Sequence, residues 1–238
     1  MALLQAVSIE KKYARTEALK GVDMIIEPGR IIGLLGPNGS GKTTMMKLLA
    51  CLLTPTSGEV IYPDGERRGA DSKRAISFLP DSLIFPGYMR VKDAFAFYRD
   101  MYPDYSDERE RELIRQLELE AVLDRRIDKL SGGMRERLAL GVTFARETSL
   151  YLLDEPLGGI DPVGKDKIIN AILAMQLENS SIVISTHLVK DIERIFDSVY
   201  FLSKGRIVFY GECDKMREES GRTVEQAYLE VFANEGAI

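Results

Sequence analysis

The sequence predicts an α/β fold, a sheet core with an inserted helical lobe, on three observations. Apolar segments of strand length alternate with helical segments through most of the chain, the pattern of a sheet layered with helices. A glycine-rich loop, Gly36-Pro-Asn-Gly-Ser-Gly-Lys-Thr43, joins the apolar run Ile31–Leu35 to the helix formers Thr44-Met-Met-Lys-Leu-Leu-Ala50. From about Ser82 to Arg146 the strand signal gives way to helical periodicity.

The strand candidates, in chain order, are Ala6–Glu10, Val22–Ile26, Ile31–Leu35, Ile76–Leu79, Leu150–Leu153, Ser181–Ser185, Val199–Leu202 and Ile207–Tyr210. Within the helical stretch the expected helices are Val91–Met101, Asp107–Leu117 and Gly132–Arg146. Phe95, Tyr98 and Tyr102 recur at spacings of three and four, which directs them to a core and not to a ligand. Asp107, with Glu110 three residues on, is the expected cap of the middle helix. Near the end, Val224, Ala227, Tyr228 and Val231 fall on one side of a short helix packed on the core. The chain is thus expected to be one domain: residues 1–81 and 147–215 as sheet core, 82–146 as helical lobe, and 216–238 as a C-terminal helix.

Composition narrows the class. At 238 residues, 45% hydrophobic and 29% charged, the chain has ample core and the make-up of a globular protein. Apolar runs such as Ile31–Leu35 are far too short to cross a bilayer. Met1-Ala-Leu-Leu-Gln-Ala-Val7 is too brief for a secretory signal and lacks its flanks. Cys51 and Cys213 give no disulfide framework, which fits a reducing cytoplasm, and Cys51 is expected as a small core residue. A net charge of −5 argues against broad nucleic-acid binding.

The glycine loop matches G-x-x-x-x-G-K-[ST] and is built to hold nucleotide phosphates. Its glycines let backbone N–H groups wrap an anion, and the helix that follows aims its positive end at the same place. Gly36, Asn38, Gly39, Ser40, Gly41, Lys42, Thr43 and Thr44 are the candidate contacts. Lys42 would reach the terminal phosphates and the Thr43 hydroxyl would coordinate Mg²⁺.

Two further strands deliver chemistry to the same sheet edge. Leu150–Leu153 runs into Asp154-Glu155-Pro156, and an apolar strand ending in two acids beside a phosphate loop suits metal and water. Asp154 is the candidate Mg²⁺ contact and Glu155 the base that polarises the attacking water. His187, the only histidine, follows Ile182-Val-Ile-Ser-Thr186 and is placed to donate to the γ-phosphate.

In this order the motifs resemble the nucleotide-binding domain of an ATP-binding cassette (ABC) protein, over essentially the whole chain. Gly36–Thr43 is similar to the family's Walker A loop, Leu130-Ser-Gly-Gly-Met134 to its signature and Leu150–Glu155 to Walker B. Gly158-Gly-Ile-Asp161 resembles the loop that crosses the dimer interface, and Ser185-Thr-His187 the switch-histidine loop. The resemblance implies a phosphate-loop NTPase (RecA-like) core with an N-terminal antiparallel β portion. It also implies that Ser131, Gly132 and Gly133 meet the γ-phosphate of ATP held by a second cassette. Ser131 as helix N-cap and two small residues make physical sense of such an anion site. Tyr13 stands where the family stacks an aromatic on adenine.

Two positions depart from the pattern. Asp81, after Ile76-Ser-Phe-Leu79-Pro80, replaces the usual Gln and adds a negative charge beside Asp154 and Glu155; it is a candidate metal-water ligand. Met134 replaces the common fifth signature Gln, away from the anion chemistry.

The implied protein is the ATPase subunit of a transporter, peripheral on the inner face of the cell membrane. It would act as a homodimer or as a heterodimer with a related cassette, using ATP and Mg²⁺. Leu83-Ile-Phe-Pro-Gly-Tyr-Met89 is rich in large apolar residues for a turn, which makes Phe85, Tyr88 and Met89 candidates for contact with an integral membrane permease. Phe78-Leu-Pro-Asp81 and Tyr102-Pro-Asp-Tyr105 resemble bacterial exporters of drugs, lipids or polymers. The alternative is a soluble ABC-type ATPase acting on nucleic acid or ribosomes. Such members usually carry two cassettes or a long coiled coil between the loop and the signature, and neither fits here. A small-molecule kinase leaves Leu130–Gly133 and His187 unexplained.

Overall fold

The computed structural model describes residues 2–62, 74–82, 85–176 and 180–235. Its centre is a six-stranded sheet in the order β5-β6-β7-β3-β8-β9. These strands are Ile76–Leu79 (β5), Leu150–Asp154 (β6), Ser181–Thr186 (β7), Ile31–Leu35 (β3), Ser198–Ser203 (β8) and Arg206–Glu212 (β9). All neighbours run parallel except β8 and β9. A second sheet, antiparallel and in the order β2-β1-β4, is formed by Thr16–Ile26 (β2), Leu4–Tyr13 (β1) and Ser57–Ile61 (β4).

Both faces of the large sheet are buried, and the alternation of side chains along each strand divides two cores. Ile31 and Leu35 of β3, Tyr151 and Leu153 of β6, and Ile182 and Ile184 of β7 pack on one side. Ile32, Leu34, Leu150, Leu152 and Val183 pack on the other, against the small sheet and the helix Lys42–Leu49 (α1). Cys51 lies in that second core, its thiol 2.8 Å from the Tyr62 hydroxyl.

No strand of either sheet falls within the described part of 82–146. The segment carries helices Val91–Met101 (α2), Asp107–Gln116 (α3) and Gly132–Phe144 (α4). Phe95 is fully buried, and Tyr98 packs on the same core. The chain continues through Pro162–Met175 (α5) and Val189–Ile192 (α6), and ends in Cys213–Ser220 (α7) and Val224–Glu235 (α8).

Several boundaries correct the sequence expectation. The cap of α3 is Ser106, whose hydroxyl accepts from the Arg109 amide, while Asp107 is the first helical residue. The third helix stops at Phe144, not Arg146, and α7 begins at Cys213, ahead of the expected 216. The tail is broken in two because Gly221, in the left-handed region at φ +63°, closes α7 before Val224 opens α8. Strand β4 was not expected.

Arg146 is one of the ties between the lobe and the sheet edge, beside the shared apolar core and the bond from the Ser77 hydroxyl to the Thr143 carbonyl at 2.8 Å. Its guanidinium is buried and donates to the carbonyls of Ile76 and Arg74 on the edge-strand side. It also donates to Asp104 at 2.8 and 3.0 Å and lies 4.0 Å over the Tyr102 ring. A planar fork serves these partners together in a way an ammonium does not.

Candidate functional site

The order β5-β6-β7-β3 brings four strand ends side by side, with Asp154 closing β6 and Asp81, Glu155, His187 and Gly36 just beyond the ends. In register, Asp154 pairs with Ser185 and Leu35 with Thr186. Ligands of open α/β sheets gather at such carboxyl ends. A cleft of about 600 Å³ opens there.

The phosphate loop is shaped by contacts that exclude a side chain. A Cβ on Gly36 would lie 2.2 Å from the Leu202 carbonyl oxygen. Gly41, at φ +113°, is the N-cap of α1, and no acid occupies the first turn of that helix. Its positive end is left to an incoming anion. Asn38, Gly39, Gly41, Lys42, Thr43 and Thr44 line the cleft.

Lys42 is buried, donating to the carbonyls of Gly36 at 2.8 Å and Pro37 at 3.3 Å. Its ammonium also stands 3.2 Å from Glu155 Oε1. The other carboxylate oxygen, Oε2, faces His187 Nδ1 at 3.0 Å and accepts from the His187 amide at 3.4 Å. Both oxygens of the candidate base are therefore engaged by candidate phosphate ligands. Glu155 adopts φ +52°, a left-handed backbone that a non-glycine residue holds only at a cost of about 1 kcal/mol or more. The sheet holds it there, with its amide donating to the Ser185 carbonyl at 2.9 Å.

Asp154 is buried, and Ser185 donates to its Oδ1. Its Oδ2 makes no hydrogen bond of normal geometry. Burial pushes this carboxyl up, opposed by the Ser185 and Thr43 hydroxyls, while Asp81 and Glu155 add like charge. An orphaned buried carboxylate oxygen, with an exposed Thr43 and with Asp81 lining the same cleft, fits a divalent cation. Among the described residues no group of three or more His, Cys, Asp or Glu could hold a metal by itself, so a cation here would need further oxygen donors from water or a ligand.

The other expected residues stand apart from this cleft. Ser131 caps α4, accepting from the Met134 amide at 3.2 Å, and is exposed together with Gly132. Asp161 caps α5 and accepts from the Gly164 amide at 3.0 Å, a bond that holds its carboxyl below the usual range. Tyr13 is exposed at the end of β1, with the Lys11 ammonium 5.2 Å above its ring, and does not line the cleft. Ser40 is buried, its hydroxyl turned beneath Gly36. Leu83 and Ile84 lie outside the described residues.

One whole wall of the cleft carries no sequence motif. Thr16, Glu17, Ala18, Lys20, Lys204 and Gly205 line the cleft. They come from the start of β2 and the turn between β8 and β9, and no local motif marks them.

Glu136, on α4, faces Asp81 from the helical side. Burial, with the Asp81 charge added, pushes its carboxyl up to about 7. Its folded value lies above its unfolded one, so the folded chain holds the extra proton between about 4.5 and 7. The stability this gives is full below that window and is lost as pH rises through it. Glu136→Gln should therefore raise stability at pH 8 by about 1 kcal/mol, after solvent screening, and change little at pH 4. Thermal melts of both proteins across that range check it; equal gains at both ends would contradict the assignment.

The protein-family model described as "ABC transporter" matches residues 19–158. A putative ABC transporter ATP-binding protein of Methanothermobacter marburgensis is 34% identical over 223 residues, covering 89% of this chain and 80% of its own. The lantibiotic transport ATP-binding protein SrtF of Streptococcus pyogenes is 28% identical over 212 residues, covering 89% and 92%. A solved ATP-binding subunit of an ABC transporter superposes with a TM-score of 0.84 at 25% identity, over 97% of this chain and 99% of the other.

Proposed function

Because this chain belongs to the ABC transporter family, as an ATP-binding subunit that hydrolyses ATP, we propose that two cassettes close around two Mg-ATP and drive export through a separate integral membrane subunit. The observation that carries this reading is the split between two anion sites. The phosphate loop, Glu155 and His187 share one cleft, whereas the Ser131-capped end of α4 is exposed and outside it. A second cassette supplies what each chain lacks, with Ser131, Gly132 and Gly133 facing its nucleotide and Asp161 at the seam.

ATP changes what the site residues bind. The β- and γ-phosphates offer Lys42 a denser anion than one carboxylate, so the ammonium leaves Glu155 Oε1. That oxygen is then free to take a proton from the attacking water, and His187 donates to the γ-phosphate. Thr43, Asp154 and, through water, Asp81 would hold Mg²⁺, which would supply positive charge against that developing on the phosphates. Tyr13 reaches adenine only when the nucleotide itself extends the cleft to the end of β1. Loss of the γ-phosphate removes the differential contacts that favour closure.

Phe85 and Met89 line an apolar hollow of about 310 Å³ with Leu79, Pro80, Phe97 and Tyr98, and Tyr88 stands 74% exposed beside them. We assign this hollow to an apolar side chain presented by a short helix of the membrane subunit. The relative SrtF serves lantibiotic transport, which supports the outward direction. No helix among the described residues is long and apolar enough to cross a membrane, and we place the subunit on the inner face of the cell membrane through its partner.

Affinity purification of the tagged chain from detergent-solubilised host membranes should recover an integral membrane protein in fixed proportion. Recovery with ribosomes or nucleic acid, and no membrane protein, would overturn the transport reading in favour of a soluble ATPase. Asp81 lines the cleft from the end of edge strand β5, and we assign it to coupling metal binding with lobe movement. Asp81→Ala should raise the Mg²⁺ requirement about 10-fold and remove stimulation of ATPase by the membrane subunit. Unchanged Mg²⁺ dependence and unchanged stimulation together would remove Asp81 from that role.

A further inference from the structure

The wall of the cleft that carries no family motif is electrically one-sided. Glu17 is engaged by Lys12 at 3.1 Å. Lys20 and Lys204 line the same wall, and among the described residues neither side chain has a hydrogen-bond or ion-pair partner. Their backbones are pinned to each other and to the phosphate loop. The Lys20 amide donates to the Gly205 carbonyl at 2.8 Å, and the Gly205 amide donates to the Ser40 carbonyl at 3.0 Å. Arg206 Nη1 adds a bond to the Lys20 carbonyl at 3.0 Å. Lys204 itself sits at φ +45°, a turn position that Gly or Asn fills with less strain. The backbones that carry two cations are thus fixed beside an anion site, one of them strained.

We propose that Lys20 and Lys204 are nucleotide-binding residues, gripping the phosphate nearest the ribose of a bound nucleoside di- or triphosphate. This rests on the assignment of nucleotide to the cleft. Lys42, Glu155 and His187 mark the terminal-phosphate end, so the wall of Thr16–Lys20 and Lys204 faces the nucleoside end. The innermost phosphate is common to ATP and ADP. The pair therefore binds substrate, transition state and product alike: it lowers KM, leaves kcat unchanged, and confers no preference for ATP.

The test compares Mg-ATP and Mg-ADP titrations by calorimetry for the wild type, Lys20→Ala/Lys204→Ala, Lys20→Arg/Lys204→Arg and Lys42→Ala. The double alanine variant should bind both nucleotides about 10-fold more weakly, with a shallower salt dependence, and the arginine pair should restore both. KM should rise in step while kcat holds. Wild-type affinity and salt dependence in the double alanine variant, with binding lost in Lys42→Ala, would overturn the role of the two lysines alone. Wild-type binding by Lys42→Ala would instead overturn the cleft assignment, and this inference with it.

Discussion

Glu155→Gln should bind ATP and hydrolyse it about 10²–10⁴-fold more slowly, the range a positioned general base supplies. The substitution keeps length and shape, so the left-handed turn at φ +52° and the amide bond to Ser185 stay in place. What it removes is the charge that accepts the water's proton. It also removes the anion that holds Lys42 at 3.2 Å in the nucleotide-free chain, so ATP meets an ammonium already released. Binding therefore survives while turnover fails, and the closed pair of cassettes accumulates. Size-exclusion chromatography with Mg-ATP should show the dimer, and a single-turnover assay should show the lost chemistry. Retained turnover would remove Glu155 from the role of base.

Ser131→Arg should abolish hydrolysis, by about 10²-fold or more, and leave nucleotide binding by the monomer intact. Ser131 is exposed and touches its own chain chiefly through the bond to the Met134 amide, so its loss costs about 1 kcal/mol of helix capping and not the fold. A guanidinium in its place occupies the space where the partner's γ-phosphate must approach the end of α4. Equilibrium binding by the monomer and steady-state ATPase separate the two effects. Loss of binding along with turnover would mean that this helix end serves its own chain's nucleotide, contrary to the two-cassette arrangement.

The central strands were legible because burial on both faces writes them as apolar runs, and Ile31–Leu35, like the edge strand Ile76–Leu79, has the bounds read from sequence. Strand β4 escaped because Ser57-Gly-Glu-Val-Ile61 buries only Val60 fully and belongs to a small sheet with one solvent face. Asp107 looked like a cap because acids favour both the cap and the first turn; Ser106 wins by placing its hydroxyl on the Arg109 amide. At the site, the parts carried on contiguous motifs at strand ends were readable: the phosphate loop, Asp154, Glu155, His187 and Asp81. The wall of Thr16–Lys20 and Lys204 was not, because the start of β2 and the β8–β9 turn, far apart in sequence, are joined there by main-chain bonds among Lys20, Gly205 and Ser40 and by the Arg206 guanidinium.

The Arg146 knot has a consequence for how such a chain drifts over generations. On the edge-strand side its acceptors are the carbonyl oxygens of Arg74 and Ile76. Main-chain oxygens are present whatever residue stands there, so the Arg146 bonds survive substitution along that strand, whereas the bond from the Ser77 hydroxyl to the Thr143 carbonyl at 2.8 Å depends on its own side chain. The constraint falls on the guanidinium, and more lightly on Asp104 and Tyr102. The Arg146 tie thus asks nothing of the side chains in the strand beneath it and leaves open its tip, where this chain carries Asp81.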